Sequence, residues 1–336
     1  MDVRAFCRQS RVLIVAGKGG VGKTTMVAAL AHLAAGAGLS VLVVELEGRP
    51  GVAAAFGSND ALDYAGSVLN AAGAAPAGSA TDGDRVAPGT VRARYITPDE
   101  ALLEYLADHG LRRISKRLVS SGIIDVVASA IPGVKDILVL GKVKQMERDE
   151  IADLILLDAP ATGHAMTFLS SARGLLDAAR GGPIRSQATD VVELLTDPAR
   201  CQVVLVTLAE EMPINEAIEA AYALEDRIGI ALGPVIVNAC DPENPPAVAA
   251  RDVVAAAGVA ADPDVVAALE AARAFRSTRA DLQAEQLERL GRELPLAQLR
   301  VGYVAAASIG KDEIEILSRD LALAIRELPE PGAERS

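Results

Sequence analysis

The chain has 336 residues, of which 51% are hydrophobic, and a net charge of −12. That charge argues against a general binder of nucleic acid or anionic membrane. Aromatics make up 3% and there is no Trp, so Ala and aliphatic side chains must fill the core. Cys7, Cys201 and Cys240 are widely scattered, with no CxxC pair and no metal-ligand spacing. They read as reduced thiols, and no zinc is expected. The first ten residues lack the apolar stretch of a signal peptide. No apolar run reaches the ~18 residues of a membrane span. The expectation is a soluble, cytoplasmic protein.

In chain order, RVLIVAG (11–17) is a short β-branched run ending at glycine, the pattern of a buried parallel strand. GKGGVGKTT (17–25) follows, then an Ala-rich helix that stops near Gly36 and Gly38. SVLVVELEG (40–48) is a second strand, and residues 65–90 have loop composition. VRARYI is a strand, and TPDEALLEYLADH opens a helix with Thr97 as cap and Pro98 in its first turn. Residues 99–149 read as consecutive helices. Strands follow at 152–160, 201–208 and 233–240, with helices between them. Residues 262–291 predict a long charged helix or hairpin. Its apolar positions Val265, Val266, Leu269, Phe275, Leu282, Leu287 and Leu290 read as core packing. This alternation predicts an α/β fold with a doubly wound, mainly parallel sheet in one domain, and GKGGVGKTT, a G-x-x-x-x-G-K-T pattern between its first strand and helix, marks that fold as a P-loop NTPase. A helical insertion is expected at about 99–149 and a frayed tail at 329–336.

The glycine-rich stretch fits the phosphate-binding pattern G-x-x-x-x-G-K-[ST]. Gly17, Gly19, Gly20 and Gly22 permit a turn whose N–H groups point inward, with a helix N-terminus behind them. Lys23 is placed for the β- and γ-phosphates and Thr24 for Mg²⁺; Val21 and Thr25 complete the expected nucleotide contacts. Asp158, ending LILLD, is placed to hold the Mg²⁺ shell through water. Glu45 and Glu47 lie two apart at a strand end, so both face one side, and either would reach a water near the γ-phosphate. Asn238, ending VIVN, has a donor and an acceptor for an adenine edge; as a lone signal it is equally a turn-forming Asn.

Lys18 is a second lysine in the loop. GKGGVGKTT resembles the deviant Walker A motif, and DAPATGHAMTFL (158–169) resembles the second switch of the arsenite-pump and tail-anchored-protein-targeting ATPases. IPGVKDILVLGKVKQM and VNACDP resemble, more loosely, that family's Pro-Gly helix and its adenine loop. The resemblance implies an Mg²⁺-dependent ATPase that works as a dimeric switch for a partner or client. In it Lys18 would reach the nucleotide of the facing subunit, and Glu47 would hold the place of the water-activating aspartate. The stretch ELEGRPG departs from the family's first switch, since glutamate adds a methylene. Slow or partner-dependent hydrolysis is expected, in a homodimer or, as in an actinobacterial branch of paired paralogues, a heterodimer. The family's zinc-binding CxxC and arsenic-binding cysteines are missing, and five Met and four Phe are poor material for an adaptable apolar groove. A nucleotide-locked subunit and a P-loop synthetase or kinase stand as alternative readings. Residues 111–148 carry eight Lys and Arg against three acids, a local +5 that reads as a solvated face or a contact for an acidic partner.

Overall fold

The computed structural model describes residues 1–46, 51–58, 62–69, 86–108, 133–241, 248–258, 260 and 262–330. Strand β1 (Val12–Gly17) runs into the phosphate-loop sequence and then α2 (Lys23–Gly36), after a short α1 (Val3–Cys7) capped by Asp2. Next come β2 (Val41–Glu45), α3 (Gly51–Ala55), β3 (Ser67–Leu69), β4 (Val91–Tyr95) and α4 (Pro98–Asp108). The chain resumes with α5 (Val134–Arg148), β5 (Leu154–Ala161), α6 (Thr162–Ala178), α7 (Pro183–Thr196) and β6 (Cys201–Leu208). The remainder is α8 (Glu211–Ile228), β7 (Ala231–Leu232), β8 (Val235–Cys240), α9 (Ala250–Ala256), α10 (Pro263–Glu293), β9 (Gln298–Gly302) and α11 (Lys311–Arg326).

The sheet runs β3-β4-β2-β5-β1-β6-β8-β9, with β7 added beside β6. Only β3 is antiparallel to its neighbour, so the expected doubly wound parallel sheet is what forms. β1 sits in the middle, paired with β5 on one side and β6 on the other. Its residues alternate between two cores. Val12 and Ile14 join the face covered by α4 to α8, and Leu13 and Val15 join the face covered by α2, α3 and α11. A strand buried on both faces has no polar side, which is why it reads as a continuous apolar run. α2 is buried nearly all round, from Met26 to Ala31, because the sheet lies beneath it and α11 lies above. Ala at these positions lets both neighbours approach closely.

Three expectations need correcting. β3 lies inside the stretch read as loop, while residues 70–85 fall outside the described residues. α10 is one continuous helix of 31 residues, but Val265, Leu269, Phe275 and Leu282 are exposed, and of the named stripe only Leu287 and Leu290 enter the core. In the basic region, Lys142 is buried and paired with Glu104 at 2.5 Å, and Lys144 is paired with Asp190 at 2.6 Å. These two lysines are internal counter-charges. Arg112, Arg113, Lys116 and Arg117 lie outside the described residues, as does most of the tail. Within the predicted insertion, α4 and α5 are helical as expected. Among the described residues no helix is long and apolar enough to cross a membrane.

Candidate nucleotide site

The crevice beyond the C-terminal ends of parallel strands is where such sheets bind ligands, and the predicted residues converge there from β1, β2, β5 and β8. The loop after β1 is held by its walls. A Cβ on Gly17 would stand 2.2 Å from the Val206 carbonyl oxygen on β6. Gly22 has φ +92° and precedes the first turn of α2, and a Cβ there would stand 2.4 Å from Asn238 Nδ2. Both positions therefore exclude any side chain. Gly19 and Gly20 are exposed, Val21 is buried, and Thr25 lies half-buried in the first turn of α2.

Three polar contacts organise the loop. Lys23 Nζ donates to the Lys18 carbonyl at 3.1 Å. Thr24 Oγ1 donates to Asp158 Oδ2 at 2.6 Å, which joins the loop to the end of β5. Asn238 donates from Nδ2 to the Val21 carbonyl at 2.9 Å and accepts from Ala239 N–H at 2.8 Å. An amide nitrogen carries two hydrogens, so one remains beyond the loop contact.

Glu45 is adjacent to Asp158 in the β2–β5 register and is 3% exposed. Its carboxylate accepts from Val52 N–H at 2.8 Å, at the start of α3. Burial pushes its pKa up to about 7; the Val52 hydrogen bond offsets part of this, and the nearby Asp158 charge adds to it. Glu47, the expected catalytic carboxylate, lies outside the described residues. Lys18 is held within the chain. Its ammonium donates to Glu216 Oε1 on α8 at 2.5 Å. His164, exposed in the first turn of α6, takes part in none of these contacts.

The oxygen donors fit a nucleotide–Mg²⁺ complex. Mg²⁺ is bound by few protein oxygens plus phosphates and water. Thr24 and Asp158 already touch, and Lys23 rests on a backbone carbonyl beside the cradle. Among the described residues there is no cluster of three or more His, Cys, Asp or Glu suited to a metal on its own. The glycine cradle and the helix start behind it suit an anion.

Several contributors escaped the sequence reading. Gly51 packs so closely on Thr24 that a Cβ would stand 2.5 Å from Thr24 Cγ2, which places the start of α3 against the loop. Asp241, just past Asn238, is bound by Arg276 at 3.1 Å and Arg279 at 2.9 Å, and its N–H donates to Gln283. α10 thereby anchors the segment that carries Asn238. Gly51 follows the ELEG stretch closely and gave a local signal, whereas Glu216, Arg276, Arg279 and Gln283 gave none.

Residues 12–328 match the family model of the CobQ/CobB/MinD/ParA nucleotide binding domain. The ATPase BagA of Mycobacterium tuberculosis is 35% identical over 242 residues, which are 68% of this chain and 64% of that protein. The chain thus spans 64% of the length of that relative. The arsenical pump-driving ATPase of Escherichia coli is 27% identical over 230 residues, 68% of this chain and 34% of that protein. The ATPase get3 of Schizosaccharomyces japonicus is 26% identical over 160 residues, 47% of this chain and 43% of that protein.

Proposed function

The chain belongs to the CobQ/CobB/MinD/ParA family of nucleotide-binding domains, among relatives of the arsenical-pump and Get3-like ATPases, and from that premise we propose that it binds ATP with Mg²⁺ and hydrolyses it as a dimeric switch. The observation that carries this reading is the walled glycine loop, with Lys23 beside it and Thr24 already in contact with Asp158. The loop N–H groups and the α2 N-terminus receive the phosphates, and Lys23 exchanges the Lys18 carbonyl for the β- and γ-oxygens. Thr24 would hold Mg²⁺ directly and Asp158 through water; the ion supplies neutralisation of developing phosphate charge. Asn238 keeps one amide hydrogen for the adenine edge.

Glu47 is the proposed carboxylate that orients the attacking water and accepts its proton. Lys18 of one subunit is proposed to reach the phosphates of the other, placing positive charge there only when two subunits close. The facing subunit is a second copy or a paralogue, and the closed state acts on a client or effector protein. Steady-state phosphate release tests this. Glu47→Gln should retain ATP binding and lower turnover ~10²-fold, the scale of general acid–base effects, with Glu47→Asp between the two. Phosphate release by Glu47→Gln at the unaltered rate would remove Glu47 from the mechanism. No release by the unaltered chain, alone or with a co-expressed paralogue, would leave a nucleotide-locked subunit in its place.

A further inference from the structure

We propose that Gln283, on α10, is a positioning residue for the nucleotide base: it holds the backbone turn at Ala239 that aims Asn238 at the adenine edge. The inference rests on the adenine reading of Asn238 above. β8 pairs with β9 in register as far as Val237, shifts, and resumes at Cys240. Asn238 and Ala239 fill that irregularity, and bulges re-aim the side chains they carry. Ala239 has φ +55°, in the left-handed region that favours glycine. An alanine there is disfavoured roughly tenfold, so surrounding contacts must hold it. The bond from the Ala239 N–H to Asn238 Oδ1, at 2.8 Å, is made by an adjacent residue and turns with it. The hold from outside is Gln283. Its Oε1 accepts from Asp241 N–H at 2.8 Å, and its Nε2 donates to the Ala239 carbonyl at a longer 3.5 Å. One amide thus spans the backbone on both sides of Cys240.

Gln283 is suited to this by its place on the helix. It is 5% exposed and shares a face with Leu287 and Leu290, four and seven residues on, which enter the core. Arg276 and Arg279, seven and four residues before it, lie on the same face and take the Asp241 carboxylate. Of these three side chains, Gln283 reaches the backbone itself. Asn238 spends one amide hydrogen on the Val21 carbonyl, at 2.9 Å, and keeps the other. When Ala239 leaves the left-handed region, Asn238 Oδ1 loses the N–H that fixes the amide, and the second hydrogen loses its direction. Nucleotide affinity then falls in proportion to the fraction of chains that keep the turn. The phosphates, received by the glycine loop and Lys23, feel this far less than the base.

Displacement of a fluorescent ATP analogue from the full chain, by ATP and by inorganic tripolyphosphate, each with Mg²⁺, tests the assignment. Gln283→Met keeps length and packing and removes both bonds. It should weaken ATP about five- to tenfold and tripolyphosphate by less than about twofold. Ala239→Gly adopts the left-handed turn without a hold, so adding it to Gln283→Met should restore ATP to within about twofold of the unaltered chain. Equal losses for the two ligands would overturn the proposal, because Gln283 would then support the fold or the glycine loop. ATP affinity unchanged in Gln283→Met, or unrestored by Ala239→Gly, would overturn it as well. If Gln283→Met does not fold, Gln283→Asn, one methylene too short to reach, carries the same comparison. Asn238→Ala separates the two readings. If it leaves the ATP-to-tripolyphosphate affinity ratio unaltered, the adenine reading has failed, and the role of Gln283 falls with it. If it lowers that ratio while Gln283→Met does not, the adenine reading stands and the proposal alone has failed.

Discussion

Glu45 offers a test of the site's electrostatics that needs no nucleotide. It is 3% exposed, and its pKa is raised from 4.5 to about 7, mainly by burial. A carboxyl whose folded pKa lies above its unfolded value binds its proton more tightly when folded. Its contribution to stability is therefore full below the unfolded value and is lost as pH rises through the folded one. The shift of about 2.5 units corresponds to about 3 kcal/mol, of which roughly 2.5 kcal/mol is lost between pH 5 and 8. Glu45→Gln has nearly the same shape, keeps an oxygen for the Val52 N–H and cannot ionise. Urea unfolding of the nucleotide-free protein at pH 5, 6, 7 and 8 should show the unaltered chain weakening relative to Glu45→Gln, most steeply between pH 5 and 7. Parallel stability curves for the two proteins across this range would refute the reasoning, and Glu45 would then be ionised and solvated at its ordinary pKa.

Other substitutions address separate parts of the structure. Lys23→Ala should abolish binding of a fluorescent ATP analogue, while Lys18→Ala should leave binding within about twofold and reduce turnover, as general principles of transition-state charge stabilisation require; loss of binding in Lys18→Ala would contradict this. Arg200→Ala leaves Glu147, which is 5% exposed, without its bidentate partner and should cost about 3 kcal/mol in urea unfolding. A loss below about 1 kcal/mol would show that water replaces the arginine. Leu290→Ala should destabilise by about 2–4 kcal/mol and Phe275→Ala by under about 0.5 kcal/mol, since one is 1% and the other 68% exposed. Equal losses would place Phe275 in a core. Gly22→Ala should remove nucleotide binding through its contact with Asn238, read with the same fluorescent analogue.

Local chemistry was legible and distant chemistry was not. The strand–loop–helix setting of the glycine-rich stretch could be read because Gly17 to Thr25 are contiguous and their pattern depends on spacing along the chain. β1, β5, β6 and β8 could be read because parallel strands buried on both faces leave unbroken apolar runs. β9 alternates buried Leu299 and Val301 with exposed Arg300, a period-two signal too short to stand out. α10 shows how periodicity misleads. At 1.5 Å per residue its 31 residues span about 46 Å, whereas an eight-residue strand covers about 26 Å. The helix outruns the sheet that could cover it, and sequence periodicity carries no information about where the sheet stops. Charge partners were hidden for a related reason. Lys142 meets Glu104, Lys144 meets Asp190 and Lys18 meets Glu216 only after the sheet has brought separate segments together.

The central place of β1 has a consequence for the chain as it is made. The whole glycine motif is translated ahead of its walls, since one of them comes from β5 at residues 154–161, another from β6 at 201–208, and Asn238 closes the third side. Non-local pairings of this kind form slowly, because distant segments must be brought together before their contacts stabilise anything. A nascent chain halted before residue 201 carries every residue of the motif and lacks the Val206 carbonyl that limits its depth. Nucleotide binding during synthesis should therefore begin only with the arrival of β8, before β9 completes the sheet.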